Sequence, residues 1–284
     1  MSTTIKPTAF SVQVNKEDRV IRGDIWADHR YHDPCPVLLL CHGFKGFKDW
    51  GFFPYVARTL AENHFIVLSF NFSMNGIGDD PQEFTELERF ARNTYTREQE
   101  DLSILLQQLK KGDLPGRERM DISRLGMIGH SRGGGNALLF SMEHQEIGAV
   151  ALWNSVAGLN LFTESMQEEM QRKGRTYILN GRTGQKMPID REVLEDLQAN
   201  QDRFDLLRRL PDYHKPILIL QGEEDQAVPV SAATALNQAA PHSEMHLLPQ
   251  TGHTFDATHP FRGTTPSLDT ALSHTIHFFK KNFK

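Results

Sequence analysis

The sequence has little cysteine: Cys35 and Cys41 are the only two among its 284 residues. If Val37–Cys41 forms a strand, its rise of about 3.3 Å per residue holds the two thiols too far apart for a disulfide. Two cysteines also do not complete a zinc site, and the sequence has no C-x-x-C pair. We therefore expect no disulfide and no bound metal.

Long apolar runs are missing as well. The runs Val37–Cys41 and Phe65–Phe70 are far shorter than the roughly 20 residues that a membrane-spanning helix needs. The first residues, MSTTIKPTAFSV, lack the basic and then apolar pattern of a secretory signal. These two absences predict a cytoplasmic protein with no membrane partner.

The chain also lacks an excess of basic residues. Its 31 Lys and Arg against 36 Asp and Glu give a net charge of −5, so it has no overall cationic field to attract nucleic acid. The composition, 39% hydrophobic and 24% charged, is that of a soluble globular protein. Its length favours a single α/β domain that spans residues 1–284 rather than two unrelated domains. A homo-oligomer is compatible with this composition.

Segments with strand and helix patterns alternate from residue 37 onward. Before them, Phe10–Asn15 and Val20–Trp26, joined by Lys16–Arg19, predict an antiparallel hairpin. Continuous apolar runs predict buried strands at 37–41, 65–70, 125–129, 148–153, 217–221 and 244–248. Helical spacing of apolar residues is clearest over 52–62, 97–110 and 268–279. The alternation predicts a parallel sheet with crossover helices.

A charged segment interrupts this alternation between the strands that end at 153 and begin at 217. Over 161–214, ten acidic and nine basic residues make 19 of 54, or 35%, against 24% for the whole chain. The run TYILNGRTGQKMPI, with Asn180–Gly181 near its turn, predicts a hairpin within the segment. We expect 154–214 to be an inserted cap rather than a second domain.

The motif that carries chemistry is Gly129-His130-Ser131-Arg132-Gly133, a G-x-S-x-G where an apolar strand turns into a helix. Such a turn exposes the serine hydroxyl, and its glycines allow neighbouring backbone to approach closely. The alternative, a glycine-rich phosphate loop, lacks the lysine that such loops carry. The motif predicts Ser131 as the nucleophile, with His130 packed in the turn.

A nucleophilic serine requires a base that is oriented by an acid. Asp225 lies just past the predicted strand at 217–221, before an Ala-Val-Pro bend that could turn its carboxylate inward. Its neighbours Glu223 and Glu224 are the alternatives. Asp225 is the predicted acid.

His253 is the predicted base among thirteen histidines. It follows the predicted strand at 244–248 directly, and the 28 positions after Asp225 leave room for one helix and one strand. The alternatives are His259, which lies farther from the strand end, and His246, which lies within the strand. His253 and Asp225 would complete a triad with Ser131.

An oxyanion hole for such a serine needs two backbone N–H donors. The N–H of Arg132, the residue after the nucleophile, is one candidate. The loop after the strand at 37–41 supplies the other, and Phe44 in His42-Gly43-Phe44 is its natural position.

These motifs together resemble the α/β-hydrolase superfamily. HGF at 42–44, GHSRGG at 129–134, GEEDQAVP at 222–229 and TGHTF at 251–255 carry the resemblance, which runs from about residue 20 onward. Within the superfamily, the sequence resembles cinnamoyl/feruloyl esterase-like and prolyl-oligopeptidase-like single-domain serine hydrolases. The loop 71–79 departs from them, because it is longer than the short turn such esterases have there and lacks its serine.

The resemblance implies an α/β-hydrolase fold, a mostly parallel eight-stranded sheet flanked by helices, with the cap between the sixth and seventh core strands. It implies Ser131, His253 and Asp225 as nucleophile, base and orienting acid, and Phe44 and Arg132 as oxyanion donors. No cofactor is needed. The expected reaction is hydrolysis of a small-molecule ester, of an aryl, cinnamoyl or short acyl type. A peptidase, amidase or thioesterase with the same triad, and a non-catalytic receptor, remain alternatives.

Substrate contacts are expected from two places. Trp153 ends a predicted core strand next to the nucleophile and could form a wall of the site. Ile178 and Leu179, with Tyr177 and Met187 of the predicted hairpin, could give the cap an apolar underside above the triad. The alternative is that these residues only pack the cap onto the core.

Overall fold

Strands and helices alternate through the chain, of which the structure, a computed structural model, describes residues 5–14 and 18–284. The strands are β1 (Thr8–Val14), β2 (Arg19–Trp26), β3 (Cys35–Cys41), β4 (Ile66–Asn71), β5 (Met120–His130), β6 (Ile147–Trp153), β7 (Arg175–Leu179), β8 (Lys186–Asp190), β9 (Ile217–Gly222) and β10 (Ser243–Leu248). The helices are α1 (Phe53–Glu62), α2 (Leu87–Ala91), α3 (Tyr95–Lys111), α4 (Arg132–Glu143), α5 (Glu164–Lys173), α6 (Arg191–Ala199), α7 (Leu206–Arg209), α8 (Val230–Ala239) and α9 (Pro266–Asn282). Two 3₁₀ turns lie at Arg117–Arg119 and Leu210–Asp212.

Eight of these strands form one sheet in the order β1-β2-β4-β3-β5-β6-β9-β10 within the described part of the chain. β2 pairs antiparallel with β1 and β4, and the other neighbouring pairs are parallel. The predicted mostly parallel sheet of eight strands is confirmed. The first hairpin pairs as predicted, although Asn15 of its predicted first strand and residues 16–17 of its predicted connection lie outside the described residues.

Both faces of the sheet are covered, which explains the continuous apolar runs. Every residue of β3 is buried, because successive side chains point to opposite faces and each face meets helices. Helices α1 and α9 cover one face, and α3, α4 and α8 cover the other. The two cysteines are buried and unbridged at the two ends of β3.

The segment 154–214 connects β6 to β9, the sixth and seventh strands of the large sheet in chain order. It contains α5, the antiparallel hairpin β7–β8, α6 and α7. Ion pairs fasten it to the body of the protein, including Arg175 with Glu88 at 2.7 Å and Glu192 with Arg92 at 2.8 Å. Its role as a cap over the site stays a prediction.

Among residues 5–14 and 18–284, no helix is both long enough and apolar enough to cross a membrane.

Candidate active site

Ser131 lies in a tight turn between β5 and α4. Its backbone has φ 57° and ψ −123°, a conformation that a non-glycine residue rarely adopts. Hydrogen bonds hold this turn, among them one from the Ser131 N–H to the carbonyl of Trp153 at 2.9 Å and one from the Gly134 N–H to the Ser131 carbonyl at 3.0 Å. Backbone strain held by its surroundings in this way is typical of functional sites.

The flanking glycines are required by close backbone approach. A Cβ added to Gly129 would lie 2.2 Å from the carbonyl oxygen of Gly133. A Cβ added to Gly133 would lie 2.4 Å from the carbonyl oxygens of Cys41 and His42. The G-x-S-x-G pattern therefore lets the turn pack directly against the end of β3.

Asp225 and His253 come from two neighbouring loops and meet through their side chains. The Nδ1–H of His253 donates to Oδ2 of Asp225 at 2.7 Å. Oδ1 of Asp225 accepts the backbone N–H groups of Ala227 and Val228, each at 2.8 Å. An ionised Asp225 therefore holds the proton of His253 on Nδ1 and leaves Nε2 free to accept another.

The environment of Asp225 favours its ionised form. Burial opposes the charge, but the hydrogen bond from His253 and those from Val228 and Ala227 outweigh it and hold the pKa of Asp225 below its usual range. A carboxylate that stays charged can orient the imidazole and stabilise it once it is protonated.

The alternative acids and bases lie elsewhere. Glu223 and Glu224 are exposed. His259 accepts the Gly51 N–H at 2.8 Å on its Nδ1 and stacks on Trp50, and His246 stacks on His274 at 4.0 Å. The structure brings Asp225 and His253 together and places none of the alternatives in their hydrogen bond.

The loop after β3 runs beside the nucleophile. A Cβ added to Gly43 would lie 3.0 Å from Cβ of Ser131, so the backbone of the loop reaches the serine. His42 holds this loop: its Nδ1–H donates to the Gly43 carbonyl at 2.9 Å, and its Nε2 accepts the Phe72 N–H at 3.3 Å. Burial lowers the pKa of His42 to about 4, so it stays neutral at pH 7.

The side chains of the two predicted oxyanion residues also contact each other. The guanidinium of Arg132 lies 5.4 Å from the ring centroid of Phe44 and 3.9 Å from that of Tyr95. The Phe44 ring stacks on Phe90 at 5.4 Å. These contacts hold the loop after β3, which carries the Phe44 N–H, beside the first turn of α4, which carries the Arg132 N–H.

A buried ion pair behind the turn was not predicted from the sequence. Nε of Arg132 donates to Oε2 of Glu98 at 3.0 Å, and both side chains are at most 3% exposed. The same carboxylate accepts the side-chain amides of Asn136 and Asn93. A signal was present, because Glu98 falls on the apolar stripe of α3, one turn before Leu102.

One predicted substrate contact, Trp153, needs correction, and so does the predicted shared apolar face of the hairpin, whereas contacts of Ile178 and Leu179 with substrate stay predictions. Trp153 is 0% exposed, and its indole N–H donates to Oγ1 of Thr275 in α9 at 3.0 Å, so it is a core residue and cannot form a wall of the site. The hairpin residues do not share one face, because strand side chains alternate. Ile178 pairs with the buried Met187, whereas Tyr177 and Leu179 are on the opposite face, 55% and 59% exposed.

Within residues 5–14 and 18–284 there is no cluster of three or more His, Cys, Asp or Glu residues that could hold a metal ion. The prediction that catalysis uses no metal stays a prediction.

Comparisons with known proteins support the fold and the family. Relatives include the 2-hydroxy-6-oxononadienedioate/2-hydroxy-6-oxononatrienedioate hydrolases of Escherichia coli (strain K12) and Cupriavidus pinatubonensis, each 25% identical over 167 residues. The match covers 48% of this chain and 58% of each relative, so the chain spans little more than half the length of these proteins.

Solved structures of other proteins align with nearly the whole chain. Est1E from Butyrivibrio proteoclasticus, solved with ferulic acid bound, has a TM-score of 0.70 at 18% identity over 96% of this chain and 99% of its own. The alpha/beta hydrolase GrgF from Penicillium sp. sh18 has a TM-score of 0.73 at 13% identity over 98% of this chain and 99% of its own. At these identities the likeness shows a shared fold.

The family model described as the alpha/beta hydrolase family matches residues 38–264, well over half of the chain. This range contains the turn at Ser131 and the loops that carry Asp225 and His253. The resemblance seen in the sequence is confirmed at the level of the superfamily, and the chain belongs to the alpha/beta hydrolase family.

Proposed function

We propose that this hydrolase cleaves carboxylic esters through an acyl-enzyme on Ser131. The observation that carries the proposal is the hydrogen bond of 2.7 Å between His253 and Asp225, together with the positive φ of Ser131 in its tight turn. His130 links the two parts, because it precedes the serine and its ring centroid lies 4.7 Å from that of His253.

The first half of the reaction forms the acyl-enzyme. Oγ of Ser131 attacks the ester carbonyl carbon while its proton passes to Nε2 of His253. The tetrahedral intermediate collapses, the bond to the alcohol oxygen breaks, and the alcohol leaves with the proton from Nε2. Asp225 stays ionised and stabilises the imidazolium that exists between these steps.

The second half returns the enzyme to its resting state. Water attacks the acyl carbon and gives a proton to Nε2 of His253, and collapse of the second intermediate releases the carboxylic acid and returns that proton to Oγ of Ser131. Both oxyanions would accept the backbone N–H groups of Phe44 and Arg132, and the N-terminus of α4 adds its positive dipole. These steps use only side chains of the chain, its backbone and water.

The substrate class that we propose is a small aryl, cinnamoyl or short acyl ester. Support comes from the likeness of fold to Est1E, which was solved with ferulic acid. The insert 154–214 would act as a cap that contributes to substrate choice, since it begins at the end of β6 and its hairpin reaches the loop after β3. There, Nζ of Lys45 donates to the carbonyl of Leu179 at 3.2 Å. We also propose that the protein is cytoplasmic.

A second candidate comes from the relatives, whose names specify a 2-hydroxy-6-oxo dienedioate rather than an ester. Such a dianionic substrate requires cations in the site. Arg132 is neutralised by Glu98, and Lys45 is bound to a carbonyl oxygen with its pKa lowered by burial. These contacts favour an uncharged ester.

The test combines covalent labelling with turnover. The chain and its Ser131→Ala variant are treated with a fluorophosphonate probe and then assayed on a series of aryl esters and on a 2-hydroxy-6-oxo dienedioate. We expect labelling of the parent alone and a loss of ester turnover in the variant of at least about a thousandfold.

Ser103→Ala is the matched control, because its hydroxyl in α3 only donates to the carbonyl of Gln99 at 2.9 Å. It should label and turn over like the parent. Turnover of the dienedioate without ester turnover would replace the proposal with the second candidate. Retention of a tenth of parental kcat by Ser131→Ala would refute the nucleophile.

A further inference from the structure

Asn154, the first residue after β6, has an unusual backbone and no exposure. Its φ is 45°, in the left-handed region that asparagine tolerates better than most residues, and its side chain is 0% exposed. Its N–H donates to the carbonyl of Leu220 in β9 at 2.8 Å. This conformation ends the strand and turns the side-chain amide toward the loops that follow β9 and β10.

The amide of Asn154 connects these two loops. Its Oδ1 accepts the Gly222 N–H at 2.7 Å, three residues before Asp225. Its Nδ2 donates to the backbone carbonyl of His253 at 2.8 Å. One buried side chain therefore fixes the distance between the loop that carries the acid and the loop that carries the base.

The carbonyl of His253 accepts a second buried donor. The Nε2–H of His130 donates to it at 2.8 Å, and since a carbonyl oxygen only accepts, this contact sets the tautomer of His130. Burial, together with the nearby His253, lowers the pKa of His130 to about 3. Its ring is therefore neutral at pH 7 and adds no positive charge against the imidazolium that His253 forms.

The same strand end also holds the nucleophile. The residue before Asn154, Trp153, accepts the Ser131 N–H on its carbonyl at 2.9 Å. Trp153 is therefore hydrogen-bonded to the backbone of Ser131. Asn154, the next residue, is hydrogen-bonded to Gly222 at the start of the Asp225 loop and to the backbone of His253. His130 closes the arrangement, because it is covalently joined to Ser131.

We propose that Asn154 and His130 are positioning residues that hold the main chain of His253 and thereby align its imidazole between Ser131 and Asp225. This inference rests on the proposed function. The hydrogen bond between its Nδ1 and Asp225 fixes the imidazole ring of His253. The hydrogen bonds from Asn154 and His130 to its backbone carbonyl fix its main chain. Displacement of a catalytic group by about 1 Å can reduce the rate about a hundredfold.

Two variants remove the two donors, the first keeping the local backbone conformation and the second keeping an aromatic ring. Asn154→Gly keeps a residue that accepts φ 45° and loses the amide, and His130→Phe keeps a ring and loses the N–H. We expect kcat on an aryl ester to fall about 10- to 100-fold in each, with KM within about twofold. His130→Gln, whose amide retains a donor at a similar reach, should recover most of the kcat that His130→Phe loses.

The matched control is Thr275→Val. It removes a buried hydrogen bond from the last residue of the same strand, since Oγ1 of Thr275 accepts the Trp153 indole N–H at 3.0 Å, but it touches neither loop. We expect a lower melting temperature and parental kcat. If Asn154→Gly does not fold, Asn154→Asp replaces it, because an ionised aspartate accepts the Gly222 N–H but donates nothing to His253.

Ser131→Ala in the same series separates the two proposals. If it retains activity, the proposed function fails. If it is inactive while folded Asn154→Gly and His130→Phe turn over with parental kcat, the positioning role alone is refuted. An equal loss of kcat in Thr275→Val, or no recovery in His130→Gln, would also overturn it, because either result assigns the loss to general packing.

Discussion

Replacing Glu98 by alanine tests the buried ion pair behind the nucleophile turn. The carboxylate accepts Nε of Arg132 at 3.0 Å and the side-chain amide of Asn93 at 2.8 Å, in surroundings that leave Arg132 only 2% exposed. Burial opposes the charge of Arg132, but Glu98 outweighs it and raises the pKa of the guanidinium. Glu98→Ala therefore leaves a buried cation without its partner.

The expected cost in the free energy of unfolding is about 3 to 5 kcal/mol, the range for removing one partner of a buried pair. Two neutral amide donors also lose their acceptor, which puts the cost toward the upper end of that range. With a urea slope of about 3 kcal/mol/M, the unfolding midpoint would fall by about 1 to 1.7 M. Turnover should fall too, because Arg132 supplies one proposed oxyanion donor.

Glu143→Ala is the matched control. Glu143 also pairs with arginines, Arg203 at 2.7 Å and Arg209 at 3.3 Å, but these side chains are between 22% and 36% exposed. A surface pair of this kind contributes about 0 to 1 kcal/mol. Urea unfolding followed by circular dichroism compares the two variants directly.

The double variant Arg132→Met with Glu98→Leu completes the test. Because both charges are gone, it should recover much of the stability that Glu98→Ala loses. Equal losses in Glu98→Ala and Glu143→Ala, or a double variant no more stable than Glu98→Ala, would refute the reasoning.

Three further predictions concern packing, pH and substrate choice. Gly133→Ala should destabilise the protein by about 1 to 3 kcal/mol through its backbone clash, whereas Gly158→Ala, with no atom within 4 Å of the new Cβ, should not. Burial raises the pKa of Asp101 to about 7, although two hydrogen bonds from Ser73 oppose it. Because the folded state favours the protonated carboxyl, Asp101 makes its full contribution to stability below about pH 4, and this contribution is lost as the pH rises through 7. Asp101→Asn should therefore gain stability relative to the parent between about pH 5 and about pH 8. Leu179→Ala should change the acyl-chain preference but not the melting temperature, because its side chain is 59% exposed.

Each of these three predictions would be contradicted by a specific result. A melting temperature of Gly133→Ala equal to that of Gly158→Ala would contradict the close approach. Stability of Asp101→Asn that follows the parent at every pH in urea titrations would show that Asp101 ionises normally. If Leu179→Ala keeps the parental ranking of esters while the half-buried Ile178→Ala only lowers stability, the insert does not select substrates through this hairpin.

The sequence predicted the sheet well because both of its faces are covered. An uninterrupted apolar run such as β3 has few alternatives to a buried strand, and the predicted acid and base then follow from their places at strand ends. The order of these strand ends along the sheet brings Asp225 and His253 into contact, which is a property of the α/β topology rather than of either residue.

The rest depended on tertiary contacts that a linear pattern does not contain. Alternation shows that Ile178 and Leu179 point to opposite faces, but which face packs inward depends on what the hairpin meets. Trp153 is an apolar residue at the end of a strand, and only the approach of α9 makes it a core residue. The partner of Glu98 could not be predicted either, since Arg132 lies 34 positions away.

The sheet also determines when the site can exist during folding. The proposed catalytic residues 131, 225 and 253 follow β5, β9 and β10, which are joined by parallel pairing through β6 and by long crossovers. Non-local pairing of this kind forms late, because the loops must close before contacts compensate for the lost entropy. His253 follows the edge strand, so a partly folded chain has a nucleophile without its base. We therefore expect regained turnover after refolding to lag regained helix content, and activity to report completion of the sheet rather than its beginning.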